Sequence, residues 1–445
     1  RDAICFLSTI NLMFGNTFDI KNPNFDESLK SFIKNKNTID FRIRSDVESI
    51  IKKIRLEGDM GVVSTTNEFD QRNVTSIEDL KITEEQIFES SQKIDKEIMD
   101  ALRFSFERIS NFHDKSFKDL PKQADGFQVG RVSRAIEDIL MYIPGGKASY
   151  PSTVLMCAGP AKSAGVSSLV LTSPCPNGTI NELTLAAAHV AGIKEVYSIG
   201  GAQAIAAFGL GTESIPRVQK IVGPGNQYVA EAKRQLFGEV GIDSIAGPSE
   251  IVVVADDNSN PITVAWDLMA QAEHDEEASS VLISFSENFI KQVVRVIKNE
   301  ISQLSRSNII KESLKKNGAS FLVENISQAI DIVNQIAPEH LHLVTENAEE
   351  VAKKITRSGL ILVGEDSANS LSDYVLGPSH VLPTGGASSF GSPLSVEDFI
   401  VSSSYVRLDS SQDLKFYQQL LDTTIILANA EGLNAHAIAA QKRKK

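Results

Sequence analysis

VQKIVGPGNQYVAEAKRQLF, residues 218–237, holds one complete step of secondary structure. A β-branched run, Val218 to Val222, leads into Gly223-Pro224-Gly225; Asn226 stands where a cap belongs, and a helical pattern follows from Gln227. Strand, tight turn and capped helix in that order are half of a βαβ unit, from which parallel sheets are made. The amides of such a helix aim at the turn, which suits an anion or a nucleotide.

The same rhythm extends in both directions. Upstream lie SLVLT (168–172), a helical NELTLAAAHVAG (181–192), EVYSIGG (195–201) and a helical AQAIAAF (202–208). Downstream come EIVVVAD (250–256), SSVLISF (279–285), ASFLVEN (319–325), LHLVT (341–345) and LILVG (360–364), separated by helical stretches such as FIKQVVRVIKNEI (289–301). The alternation predicts an α/β protein, with two Rossmann-like parallel-sheet domains as the economical count. Before them, VESIIKKI (47–54) and IFESSQKIDKEIMDALRFSFERISNFH (87–113) space their apolar residues as surface-packed helices do. A Gly, Ser and Pro-rich stretch, GPSHVLPTGGASSFGSPLS (377–395), breaks the rhythm as functional loops and domain boundaries do, and EGLNAHAIAAQKRKK (431–445) closes the chain as a basic-ended helix.

A length of 445 residues exceeds what one core supports, and 42% hydrophobic with 23% charged residues is ordinary for a globular protein. The net charge of −13 argues against nucleic acid or anionic lipid as partner, leaving small molecules. Three cysteines, Cys5, Cys157 and Cys175, lack the spacing of a disulfide framework or thiolate metal cage and fit a reducing, cytoplasmic compartment. The apolar opening ICFLSTINLMF (4–14) has Asp2 where a secretory leader carries a basic residue and no A-x-A-like cleavage site, so it reads as an arm. No stretch has the apolar length that spans a bilayer.

Three glycine-rich turns follow or join these elements: YIPGGKASYPS (142–152), SIGGAQAIA (198–206) and IVGPGNQYVAEAK (221–233). In a parallel sheet such turns gather at the carboxyl edge, where ligands bind and glycine admits close backbone approach. None is a dinucleotide fingerprint, since Tyr228 occupies the third glycine position, and none is a P-loop, since Met141 stands where Lys147 would need a glycine. Plain tight turns are the competing explanation.

At AQAEHDEEAS (270–279) an apolar helix runs into Gln271, His274 and several acids. Asp267, Gln271 and His274 fall on one helical face, opposite Ala265, Leu268, Met269 and Ala272; a solvated polar face explains this equally well. Histidines in AEHDEE, APEHLHL and LSDYVLGPSH, with carboxylate and amide oxygens beside them, suit Zn²⁺ or Mn²⁺. Pro338 places Glu339 and His340 on a turn, where a carboxylate next to an imidazole can accept a proton and activate water. His113 and His189, in amphipathic helices, are most simply structural.

AQAEHDEEA (270–278), GPGNQYVAEAKRQLFG (223–238), IAGPSEIVVVAD (245–256), APEHLHLV (337–344), SDYVLGPSHVLPTGGA (372–387) and EGLNAHA (431–437) together resemble the histidinol dehydrogenase family, over nearly all of the chain from Phe14 onward. The resemblance implies oxidation of L-histidinol through histidinaldehyde to L-histidine with two NAD⁺ and one water, in a homodimer holding one Zn²⁺ per subunit. By it the metal ligands are Gln271, His274, Asp373 and, reaching the partner's site, His436. Glu339 and His340 match the acid/base pair; Ser249, His380 and Glu431 join Gln271, His274, His340, Asp373 and His436 in binding histidinol; Tyr142, Gln203 and Asn226 match NAD contacts. The implied division is an arm at 1–37, a larger α/β domain at 38–141 plus 249–393 with the metal and catalytic residues, an NAD-binding domain at 142–248, and a C-terminal dimerisation segment at 394–445. Ser372 departs from the family, which commonly has glycine before the aspartate. Two other readings compete: a thiol enzyme using Cys175, and a metal- or nucleotide-binding protein without turnover.

Overall fold

The structure is a computed structural model that describes residues 13–35, 41–118, 128–145, 149–176, 178–408, 410 and 414–444. Most of the apolar opening, Cys5 and Lys147 of the first glycine loop lie outside the described residues.

In chain order the strands are β1 (Asn16–Asp19), β2 (Lys81–Ile82), β3 (Gln128–Ala135), β4 (Asp138–Tyr142), β5 (Ser168–Thr172), β6 (Glu195–Tyr197), β7 (Lys220–Val222), β8 (Gly241–Ile242), β9 (Glu250–Ala255), β10 (Ser279–Ser284), β11 (Ala319–Leu322), β12 (His340–Val344), β13 (Leu360–Val363) and β14 (Ile400–Arg407). One six-stranded sheet has the order β1-β11-β10-β9-β12-β13 and is parallel throughout. The other has the order β2-β6-β5-β4-β7-β8 and is parallel except for β2. The expected pair of parallel α/β sheets is thus present. The βα rhythm begins one strand earlier than the sequence suggests, at β4, and the arm contributes β1 as an edge strand beside β11.

Side-chain alternation along β9 explains the layering of the first sheet. Ile251, Val253 and Ala255 face a core with Val264, Ala265, Leu268 and Met269 of the Pro261–Ala272 helix, while Val252 and Val254 face a core with Leu29, Ala329 and Val333. On β12, Leu341 and Leu343 join the second core, so His340 and His342 point to the face that carries the Pro261–Ala272 helix. Helices 41–57 and 59–70 pack on the other sheet, with Ile50, Ile54 and Val62 in one core with Leu140, Ile205 and Phe208. The chain divides into two compact units. The larger holds both six-stranded sheets; the smaller holds the antiparallel β3–β14 ribbon and the helices Leu414–Ala430 and Asn434–Gln441. Among the described residues no helix is long and apolar enough to cross a membrane.

His113, on the Lys96–Lys118 helix, is buried with no hydrogen-bond partner on either ring nitrogen. Burial pushes it down to about 4, and Glu397 and Asp114 oppose this only in part. The unfolded chain takes up this proton near pH ~6.5. The fold resists it, so the contribution is complete above about 6.5 and is lost as pH falls toward about 4, to a total of ~3 kcal/mol. We expect calorimetric melting temperatures to fall across that window and His113→Leu to flatten the slope; an unaltered slope in the variant assigns the acid sensitivity to other groups.

Candidate active site

Glu339 and His340 meet at the amino end of β12. The preceding helix, Ile326–Ile336, ends at Ala337 in the left-handed region (φ 49°), and Pro338 prevents its continuation, so the chain turns sharply into the strand. Its neighbour β9 also begins here, at Glu250. The Glu250 N–H donates to Glu339 Oε2 (2.7 Å), and His340 Nδ1 donates to the Glu250 carbonyl (3.0 Å). A carbonyl only accepts, so Nδ1 carries a proton and Nε2 is left buried with no hydrogen-bond partner. Burial presses the imidazole down, but Glu339 at 3.5 Å, Asp373 and the Glu250 carbonyl outweigh it and hold the ring at about 9.

Asp373, just past the short Asn369–Ser372 helix, lies between two imidazoles: Oδ1 is 3.8 Å from His340 Nε2 and Oδ2 is 4.0 Å from His274 Nε2. Gln271 is buried, and its Oε1 accepts from Asn369 Nδ2 (3.1 Å). His274 lies beyond the end of the Pro261–Ala272 helix, while Asp267 is buried against His342 (2.9 Å), so the expected polar face is neither continuous nor solvated. His380 Nδ1 donates to the Asp373 carbonyl (3.0 Å), and its Nε2 accepts from Thr153 Oγ1 (3.1 Å). Burial lowers His380 against the pull of Asp373, in keeping with this neutral tautomer.

Among the described residues no group of three or more His, Cys, Asp and Glu side chains stands at metal-binding spacing. The amide oxygen of Gln271, the imidazole of His274 and the carboxylate of Asp373 nevertheless form a nitrogen and oxygen donor set suited to Zn²⁺. The 4.0 Å between His274 and Asp373 is too wide for a hydrogen bond and within ~1 Å of the ~3.4 Å that separates two donors to one tetrahedral ion. The residues therefore fit the ion. Ser249 lies next to Glu250 and its carbonyl accepts from Ser279 N (2.9 Å). Glu431 and His436 belong to the smaller unit and are exposed there.

The three glycine loops leave β4, β6 and β7 at the carboxyl edge of the other sheet. Its order reverses between β4 and β7, the kind of crevice where open α/β sheets bind ligands. Tyr142 ties the loops together: its hydroxyl accepts from Gly201 N (3.1 Å), and its carbonyl lies where a Cβ on Gly223 (φ 103°) would collide. Burial pushes this phenol up to about 12. Gln203 is buried beside Gly201, and Asn226 caps its helix, Oδ1 accepting from Tyr228 N (3.0 Å) and Val229 N (3.1 Å). Cys175, by contrast, is buried and its thiol is pushed up by burial, which disfavours a thiolate nucleophile. A cleft of about 1200 Å³ lies against Glu250 and Gly385 and is lined by none of Gln271, His274, His340 or Asp373.

The family model for histidinol dehydrogenase matches residues 33–444. The chain belongs to the histidinol dehydrogenase family. It is 41% identical to the histidinol dehydrogenase of Aquifex aeolicus, over 94% of this chain and 96% of that one, and 43% identical to that of Clostridium acetobutylicum, over 90% and 92%. A crystal structure of histidinol dehydrogenase from Elizabethkingia anophelis superposes with a TM-score of 0.88 at 33% identity, covering 96% of this chain and 97% of that one. To the site residues that the histidinol dehydrogenase resemblance implies, the geometry adds Asn369 and Thr153, which touch Gln271 and His380, and the clamp of Glu250. Glu250 has a visible sequence signal, an acid opening an otherwise apolar buried strand; Asn369 and Thr153 have none.

The third glycine loop hangs on a buried ion pair. Asp243 accepts from Gly223 N (2.7 Å) and from Lys233 Nζ (2.6 Å), and Lys233 also donates to the Gly223 carbonyl (2.6 Å). Both charges are buried, so Asp243→Ala strands the ammonium and is expected to cost ~3–5 kcal/mol in denaturant titrations. Wild-type stability in that variant removes the pair as the loop's anchor.

Proposed function

We propose that this chain oxidises L-histidinol to L-histidine by two hydride transfers to NAD⁺ with one water consumed between them, as the family membership supports. The observation that carries the reading is the buried, unpartnered Nε2 of His340, fixed in direction by Nδ1 and set beside Glu339 and Asp373.

In its neutral form, with the one ring proton on Nδ1, His340 takes the hydroxyl proton at Nε2 as hydride leaves the carbinol carbon. Glu339, its Oε2 held by Glu250 N, draws a proton from the water that hydrates the aldehyde; once His340 has released the first proton to solvent, Nε2 takes a hydroxyl proton from the hydrate as the second hydride leaves. NAD⁺ supplies the hydride acceptor at each oxidation, and Zn²⁺ a positive template for the substrate's imidazole and amine. Gln271, His274 and Asp373 would hold that ion, whose positive charge would oppose the pull of Asp373 on the His340 ring. Ser249 and His380 line the substrate, and Tyr142, Gln203 and Asn226, in the loops at the β4/β7 crevice, take NAD⁺. Thr153, at the start of the helix after the first loop, touches His380, which supports cofactor and substrate lying side by side.

We assign the partner's His436 and Glu431 to the same site in a homodimer. The smaller unit exposes Val406, Ile426, Leu427 and Ile438, apolar side chains that a partner subunit would cover.

Four measurements test this. His340→Ala is expected to lower kcat by about 10²–10⁴-fold with zinc retained, while His274→Ala loses zinc and histidinol affinity together. Normal zinc stoichiometry in His274→Ala rules out the donor set. Mixing inactive His340→Ala and His436→Ala chains is expected to restore part of the NADH signal through hybrid dimers, and no recovery refutes the shared site. Cys175→Ala is expected to keep most activity; complete loss instead favours the thiol route.

A further inference from the structure

We infer that His342 and Asp267, neither of which touches the reacting atoms in the reading above, are positioning residues that set the register of the metal-holding helix against the catalytic strand. The inference rests on that reading of the site.

His342 is two residues from His340, so both imidazoles leave β12 on the same face, the one packed by the Pro261–Ala272 helix. Its ring is buried and bonded at both ends: Nδ1 lies 2.9 Å from Asp267 Oδ2 and Nε2 donates to the Gly364 carbonyl at 2.9 Å. Asp267 is one turn before Gln271 on the helix that runs toward His274. Gly364 (φ 84°) follows β13 and opens the segment that carries Asn369, the partner of Gln271, and Asp373. One imidazole on the catalytic strand therefore grips both segments that bring candidate zinc donors to His340.

The two strand histidines thus form two levels between helix and strand. At the first, Asp373 lies between His274 and His340 at 4.0 and 3.8 Å, distances no hydrogen bond enforces. At the second, His342 makes two bonds of ordinary length. Apolar contacts such as Leu268 and Met269 hold the helix to the sheet but leave its sliding along the strand cheap; directional bonds to a carboxylate and a carbonyl do not. The second level fixes the first.

The test is zinc affinity, read by chelator competition, beside steady-state kinetics on the purified full chain. In His342→Gln and Asp267→Ala we expect zinc affinity to fall by about tenfold or more, with the KM for histidinol rising and the KM for NAD⁺ little changed. Asp267→Asn, which keeps an acceptor facing Nδ1, is expected to recover most of the loss relative to Asp267→Ala. Should either single variant fail to fold, the apolar pair Asp267→Leu with His342→Phe keeps the contact without the bonds and is expected to show the same zinc deficit. Lower melting temperature with unchanged zinc affinity and unchanged KM values would make the pair merely structural and overturn the inference. His274→Ala serves as the control: if it also keeps zinc, the donor assignment fails; if it alone loses zinc, only the positioning role does.

Discussion

Adjacency of β9 and β12 is the constraint on which the site depends. Because these strands pair in parallel with His340 beside Ile251, the first residue of β9 falls level with the Glu339-His340 dipeptide, and a single peptide unit on either side of Glu250 holds both functional groups. The hold uses main-chain atoms, whose direction is fixed by the sheet rather than by any side-chain rotamer. That is why a carboxylate and an imidazole, both buried, keep one relative orientation. The Glu250 side chain in turn accepts from Gly385 N (2.8 Å), tying the late glycine-rich loop to the same point.

The two sheets use opposite edges. In the β4/β7 sheet the glycine loops gather at the carboxyl edge, as parallel sheets ordinarily arrange ligand sites. In the β9/β12 sheet the candidate catalytic residues sit at the amino edge, because a helix after a parallel strand runs back along it and delivers its last turn, with Gln271 and then His274, to where the strand began. Thr153 and His380 join these edges, so the acid/base pair and the candidate cofactor loops face common ground although they come from different sheets.

The sequence made legible whatever local chemistry decides. Short β-branched runs, glycine turns and capping residues such as Asn226 act within a few residues of themselves, so the alternating elements and the two parallel sheets could be read directly. The pairing of β1 with β11 joins segments some three hundred residues apart, and nothing in Asn16–Asp19 signals it. The site shows the same division. Gln271, His274, Glu339, His340 and Asp373 stand in blocks that resemble a family, whereas Asn369 beside Gln271 and Thr153 beside His380 exist only through folding, and a helical wheel misjudged Asp267 because it cannot see the buried imidazole across from it.

Asn226 spends its carbonyl oxygen twice over, on the amides of Tyr228 and Val229. The Ala230 amide is taken as well, by the Asn226 main-chain carbonyl, so what the side chain still offers outward is the NH₂ end of its amide. A molecule that meets this side chain thus meets a donor and must present lone pairs to it, as phosphate or carboxamide oxygens do.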